Sequence, residues 1–97
     1  FDKVQLIPGT QKQADDLIIP DGTIRNHDYL KDHIIWSENI PYESQMILCD
    51  AQTSGGLLIS VPEENLDKLM TLFERSGVSS AVIGSITEDK DCLIRVF

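Results

Sequence analysis

The strongest periodic pattern in the chain lies between Pro62 and Gly77, where Leu66, Leu69, Met70 and Phe73 recur at i, i+3, i+4 and i+7. Pro62 suits a first helical position, Glu63 and Glu64 complement the positive end of the helix dipole, and Gly77 suits a C-cap just beyond Arg75. The spacing predicts a helix whose stripe enters the core, each of the four side chains contributing roughly 1.5–3 kcal/mol on burial. Just upstream, Leu57-Leu58-Ile59-Ser60-Val61 is apolar almost without alternation, the pattern of a strand covered on both faces. Downstream, Ser80 to Thr87 reads as a second strand, with Gly84 marking a bulge or a close backbone approach. Glu88-Asp89-Lys90-Asp91 reads as a solvated hairpin turn into a third strand, Cys92 to Phe97. Strands 57–61 and 80–87 would then pair in parallel across the helix, and the last two strands antiparallel.

The first half is less regular. Phe1 to Ile7 predicts a short strand or extended lead-in, closed by Pro8-Gly9. Thr10 offers an N-cap for a helix over 11–18, with Ala14, Leu17 and Ile18 on one side. Pro20 ends it. Thr23 is positioned to cap a helix reaching Leu30, with Ile24, Tyr29 and Leu30 turned inward. His33 to Trp36 reads as a short extended piece, and Pro41 to Leu48 as a helix with Tyr42, Gln45 and Met46 on one face. Together these elements predict an α+β domain, a mixed β-sheet with helices packed on one face.

Composition narrows the function more than the fold. With 97 residues, 41% of them hydrophobic, residues 1–97 make a single domain with a small core. The formal charge is −8, which argues against nucleic acid and against an anionic membrane surface. It leaves room for an anionic ligand, because backbone N–H groups bind phosphate even in acidic proteins. No run approaches the roughly 18 apolar residues of a membrane helix, and the opening residues do not read as a signal peptide. Cys49 and Cys92 are too few for a disulfide scaffold or zinc site, and read as reduced thiols of a cytoplasmic protein. The chain opens at Phe1, not Met, and reads as a fragment or a processed chain.

Two segments carry candidate chemistry. In Asp50-Ala51-Gln52-Thr53-Ser54-Gly55-Gly56, the hydroxyls of Thr53 and Ser54 and the N–H groups of Gly55 and Gly56 could face an anion. The segment lacks the Lys and following helix of a P-loop. The plainer reading is a turn bonded internally by Asp50 and Thr53, its glycines taking positive φ. In Gly22-Thr23-Ile24-Arg25-Asn26, Arg25 could grip a phosphate and Asn26 a base or loop; the plainer reading is a capped helix with a surface arginine. His27 and His33 lie six apart, which does not fit a metal pair on one helix face. Cys49 beside Asp50 is a poor nucleophile, since a neighbouring carboxylate raises a thiol pKa.

The stretch Cys49-Asp50-Ala51-Gln52-Thr53-Ser54-Gly55-Gly56-Leu57-Leu58-Ile59 resembles the D-P-Q-T-S-G-G-L-L segment of selenophosphate synthetases (selenide, water dikinases), with Ala51 where that family has Pro. Pro20-Asp21-Gly22-Thr23-Ile24-Arg25-Asn26 is similar to the family's P-G-G-T-x-R-N, with Asp21 replacing Gly, and Ala81-Val82-Ile83-Gly84 to its A-x-x-I-G strand. The resemblance implies the later part of a C-terminal domain of the aminoimidazole ribonucleotide synthetase type. The T-D-V-T-G-F-G-x-x-G-H segment that opens that domain in the family is not present. Family members convert ATP, selenide and water to selenophosphate, AMP and phosphate with Mg²⁺. Their reactive Cys or selenocysteine, its partner Lys and the metal-binding aspartates lie mainly in an N-terminal ATP-binding domain. The resemblance therefore places no catalytic or metal residue in this chain. It implies no cofactor bound here, the chain's own N-terminal domain as partner, and a homodimer when intact. Asp50, Thr53, Ser54, Gly55, Gly56, Arg25 and Asn26 become candidates for facing the cleft near phosphate. Two other readings stay open: a piece of another enzyme of that ATP-binding superfamily (purine, thiamine phosphate or hydrogenase-maturation chemistry), or a non-catalytic dimerisation or binding module. A partial domain is also expected to expose apolar surface and sheet edges.

Overall fold

The computed structural model describes residues 1–88 and 93–97. The elements run α1 (Thr10–Asp15), α2 (Asp21–Leu30), β1 (Ile34–Trp36), α3 (Tyr42–Cys49), α4 (Glu63–Arg75) and β2 (Ile94–Val96). The α+β class expected from the sequence is borne out. The core centres on α3, against which both α1 and α2 pack. Its buried side chains are Ala14, Ile40, Met46, Ile47 and Cys49, joined by the polar Thr23 and Ser44.

Helix α3 begins after Pro41, whose φ of −68° and ψ of 158° make it the N-cap and not the first helical residue. The N–H groups of Ser44 and Gln45 both donate to its carbonyl at 3.1 Å. Glu43 sits in the first turn, where a carboxylate favours the helix dipole. Because α1 and α2 cover α3 from two sides, Ser44, Met46, Ile47 and Cys49 are all buried, and the helix carries no single apolar stripe. That is why a one-face pattern undervalues it. Tyr42, expected on the inner face, is exposed.

Helix α4 forms where the spacing predicts it, yet none of its residues is fully buried. Leu66, Leu69, Met70 and Phe73 are half-buried, and the core expected along this stripe lies instead around Met46, which is 1% exposed. The helix ends as expected at Gly77, with φ of +66°. The Val78 N–H donates to the Phe73 carbonyl at 2.9 Å and the Gly77 N–H to the Glu74 carbonyl at 3.1 Å, the two bonds of a Schellman motif. α1 ends with the same pair: Ile18 N–H to the Gln13 carbonyl and Leu17 N–H to the Ala14 carbonyl, both 2.9 Å. There the left-handed position, φ 57°, is held by Leu17, which a side chain makes costly. This turn swings Leu17 and Ile18 out to solvent instead of onto the expected inner side. At the other end of α1, Gly9 (φ 92°) is the N-cap and Thr10 the first helical residue. Residues 1–7 form no strand; residues 2–4 turn, with the Val4 N–H bonded to the Phe1 carbonyl at 2.8 Å.

The sheet differs most from expectation. Among the described residues it has two strands, β1 and β2, paired in parallel with Ile34 opposite Ile94, Ile35 opposite Arg95 and Trp36 opposite Val96. The expected strands 57–61 and 80–87 join no ladder. Leu57 is 90% and Leu58 84% exposed, with no described segment hydrogen-bonded alongside to make an apolar run into a strand. The last strand pairs with β1 instead of folding back on 80–87. The residues of the predicted closing turn from Asp89 on, and Cys92, lie outside the described residues.

Candidate functional site

The two segments singled out in the sequence meet at one seam, between the inner side of α2 and the C-terminal end of α3. Pro20, with φ −64° and ψ 144°, is the N-cap of α2, so Thr23 falls inside the helix and does not cap it. Its side chain, 2% exposed, points across to α3, where its hydroxyl donates to the Asp50 carboxylate. One turn on, Asn26 Nδ2 donates to the Cys49 carbonyl at 3.0 Å. This satisfies one of the carbonyls that any helix end leaves without an intrahelical donor. His27 follows, its Nε2 3.0 Å from Gln45 Oε1, while Gln45 Nε2 donates to the Ile40 carbonyl at 3.1 Å. The His27 ring stacks on Trp36 of β1 (centroids 6.1 Å apart, planes at 21°) and meets the edge of Tyr42 at 5.7 Å. His27 thereby ties α2 to the sheet as well as to α3.

Thr23, Asn26 and His27 are spaced i, i+3 and i+4, so they share one side of α2. Ile24 and Tyr29, expected inward, are exposed, Tyr29 at 79%. The reason is chemical. The surface that α2 meets presents a carboxylate, a carbonyl and an amide, and its inner side is polar to match. Among the described residues no buried side-chain nitrogen or oxygen lacks a hydrogen-bond partner.

From this seam the chain leaves α3 through Asp50, extended at φ −69° and ψ 146°, into a turn exposed from Ala51 to Gly56. Neither Gly55 nor Gly56 takes positive φ, so the expectation of left-handed glycines in this turn is corrected. Gly55 is crowded by Gln52: a Cβ there would stand 2.6 Å from Gln52 Oε1 and 3.0 Å from Gln52 Cβ, so the Gln52 side chain would have to shift. Gly56 faces open space, with nothing within 4 Å of a built Cβ. Thr53 and Ser54 are exposed beside them. Arg25 stands apart from the seam; it is exposed, with Nη2 3.9 Å from where a Cβ on Gly22 would lie.

An open crevice of about 490 Å³ adjoins the seam, walled by Leu17, Ile18, Met46 and Ile47, with Thr23 and Asp50 among its polar lining. Burial pushes the Cys49 thiol above its ordinary pKa, so desolvation, not the neighbouring carboxylate, makes it a poor nucleophile. Among the described residues no group of three or more His, Cys, Asp or Glu is placed to hold a metal ion, and no helix is long and apolar enough to cross a membrane. Sequence reasoning named Asn26 and Asp50 but gave Thr23 only a capping role. The signal for the seam was the polar i, i+3, i+4 set itself, which a search for apolar periodicity passes over.

Residues 24–96 match the family model described as AIR synthase related protein, C-terminal domain. Among curated proteins, the chain is 39% identical over 88 residues to the selenide, water dikinase of Clostridium botulinum (strain Alaska E43 / Type E3), covering 91% of this chain and 26% of that protein. It is 35% identical over 90 residues to the selenide, water dikinase of Myxococcus xanthus (strain DK1622), and 34% identical over 92 residues to that of Carboxydothermus hydrogenoformans, covering 93% and 95% of this chain. The chain spans about a quarter of the length of the curated relatives it matches. No solved structure matches it. With three quarters of its residues inside one family model, and both candidate segments of the seam within or bordering that span, the chain belongs to the AIR synthase related protein, C-terminal domain, family.

Proposed function

We propose that this chain is the C-terminal part of an ATP-dependent selenophosphate synthetase, which converts ATP, selenide and water to selenophosphate, AMP and phosphate. The observation that carries this reading is the similarity of more than nine tenths of the chain to proteins named selenide, water dikinase. In the intact protein the chain's role is supportive. The exposed turn Thr53-Ser54-Gly55-Gly56 offers hydroxyls and backbone N–H groups toward the nucleotide cleft, and Arg25 offers a cation on the adjacent helix. Among the described residues no carboxylate cluster forms and Asp50 is engaged by Thr23, so those residues do not suit a Mg²⁺ site. Metal and reactive Cys or selenocysteine belong to the N-terminal ATP-binding domain, which is the chain's principal partner within a homodimer. The 97 residues alone neither hold Mg²⁺ nor turn over ATP.

The test is an assay of the full-length protein for selenide-dependent cleavage of ATP to AMP, with the selenophosphate product followed by ³¹P NMR. AMP and selenophosphate formed only with selenide present support the reading. ATP cleavage without selenide dependence, or cleavage to ADP alone, assigns the protein to another activity of the superfamily. Tight binding of ATP by the 97 residues in calorimetry would contradict the supportive role given to them here.

A further inference from the structure

We infer that Thr23 and Asn26 are positioning residues: their clamp on Cys49 and Asp50 sets the direction in which the 51–56 turn leaves α3. This rests on the functional reading above for its meaning in catalysis, and on geometry alone for the clamp. The turn is exposed throughout. What is fixed is its root. Asn26 Nδ2 holds the Cys49 carbonyl at 3.0 Å, and the buried Thr23 hydroxyl holds the Asp50 carboxylate, both from one side of a single helix. Asp50 is thereby used for aim. One carboxylate oxygen accepts from Thr23, and its role is to anchor the turn, not to bind metal or phosphate.

The backbone at the root carries the second part of the inference. Asp50 sits at φ −69° and ψ 146°, the region to which a residue is restricted when proline follows it. The next residue here is Ala51, which imposes no such restriction. Among the described residues no backbone bond involves the Ala51 N–H, so proline would forfeit none of those bonds. A proline at 51 would favour the backbone that Asp50 already adopts, by a route independent of the Thr23 hydrogen bond.

The experiment uses the ¹⁵N-labelled full chain and reads heteronuclear NOEs at Gln52 to Gly56. Thr23→Val, close to isosteric but without the donor, is expected to lower these values while leaving α1, β1 and α4 unchanged. Thr23→Ser should keep them at the parent level, and adding Ala51→Pro to Thr23→Val should restore them. Unchanged turn dynamics in Thr23→Val overturn the clamp. If Thr23→Val fails to fold, Asn26→Ala decides by the same measurement: lowered values at Gln52 to Gly56 support the clamp, and unchanged values overturn it. In the full-length enzyme Thr23→Val should lower selenide-dependent AMP formation roughly three- to tenfold, as loss of one hydrogen bond allows, with recovery in Thr23→Ser. A full-length protein with no selenide-dependent AMP formation at all would sink the functional reading, while the NOE measurement still decides the clamp.

Discussion

Truncating Met46 should cost far more than truncating Met70, although Met70 belongs to the more regular apolar stripe. Met46 is 1% exposed in the middle of α3, with α1 and α2 packed on that helix, so Met46→Ala removes a full side chain from a closed site. Such truncations cost about 2–5 kcal/mol, the spread reflecting how far the surroundings collapse. Met70 is half-buried on α4 beside an open groove lined by Thr71, Val78 and Ser79. Roughly half its transfer free energy is at stake and no closed cavity forms, so Met70→Ala should cost about 1 kcal/mol. Against a total stability of order 5–15 kcal/mol for a domain of this size, the first loss is severe and the second mild. Urea unfolding followed by Trp36 fluorescence separates them cleanly. Trp36 is the only tryptophan and stacks on His27 at the junction of α2 and β1, so it reports on the core around α3. With a slope of roughly 1.5 kcal/mol per molar urea, the Met46→Ala midpoint should fall by about 2 M and the Met70→Ala midpoint by less than 1 M. Equal shifts, or a larger one for Met70→Ala, would refute a core centred on α3.

Four further outcomes follow from the geometry and the burial of Cys49. Gly77→Ala should destabilise α4 by about 1 kcal/mol, seen as a lower Tm by circular dichroism, because φ is +66° and only backbone strain is at issue. Gly84→Ala, with open space and no positive φ, should leave Tm unchanged. In a Cys92→Ser background, Cys49 should react slowly with iodoacetamide at pH 8 in the folded chain and quickly in urea, because burial favours its neutral thiol. The stability this contributes is complete below the ordinary thiol range and is lost as pH rises through it, so the urea midpoint should fall above about pH 9.

How much of this was legible depends on whether an element is determined locally. The ends of α4 are local: Pro62, the paired glutamates and Gly77 announce them, and the structure places them within a residue or two. The span of α2 is nearly as clear, but its facing is not. Its inner side is polar because α3 presents Asp50, the Cys49 carbonyl and Gln45 to it, and no apolar count along 21–30 contains that information. The β1–β2 pairing is further from view, since three-residue strands at 34–36 and 94–96, far apart in sequence, meet in parallel and each is too short to show alternation. Residues 57–61 carry the converse lesson. Their composition is that of a buried strand, but a strand exists only with a neighbour to bond, and among the described residues none lies alongside. The candidate turn was legible as a motif, and its glycines were misjudged. Gly55 answers to crowding by Gln52, not to left-handed backbone, and Gly56 answers to neither.

That last point supplies the most direct test of the turn's place in catalysis. Gly56 has ordinary φ and empty space around it, so Gly56→Val should leave the fold intact, with an unchanged Tm and unchanged amide spectrum outside 52–58. Under the proposed function, the same substitution in the full-length protein would put a branched side chain where the turn faces the nucleotide cleft. The expected result is a folded enzyme whose selenide-dependent AMP formation is largely lost. A folded Gly56→Val enzyme with full activity would contradict the placement of this turn at the reaction site.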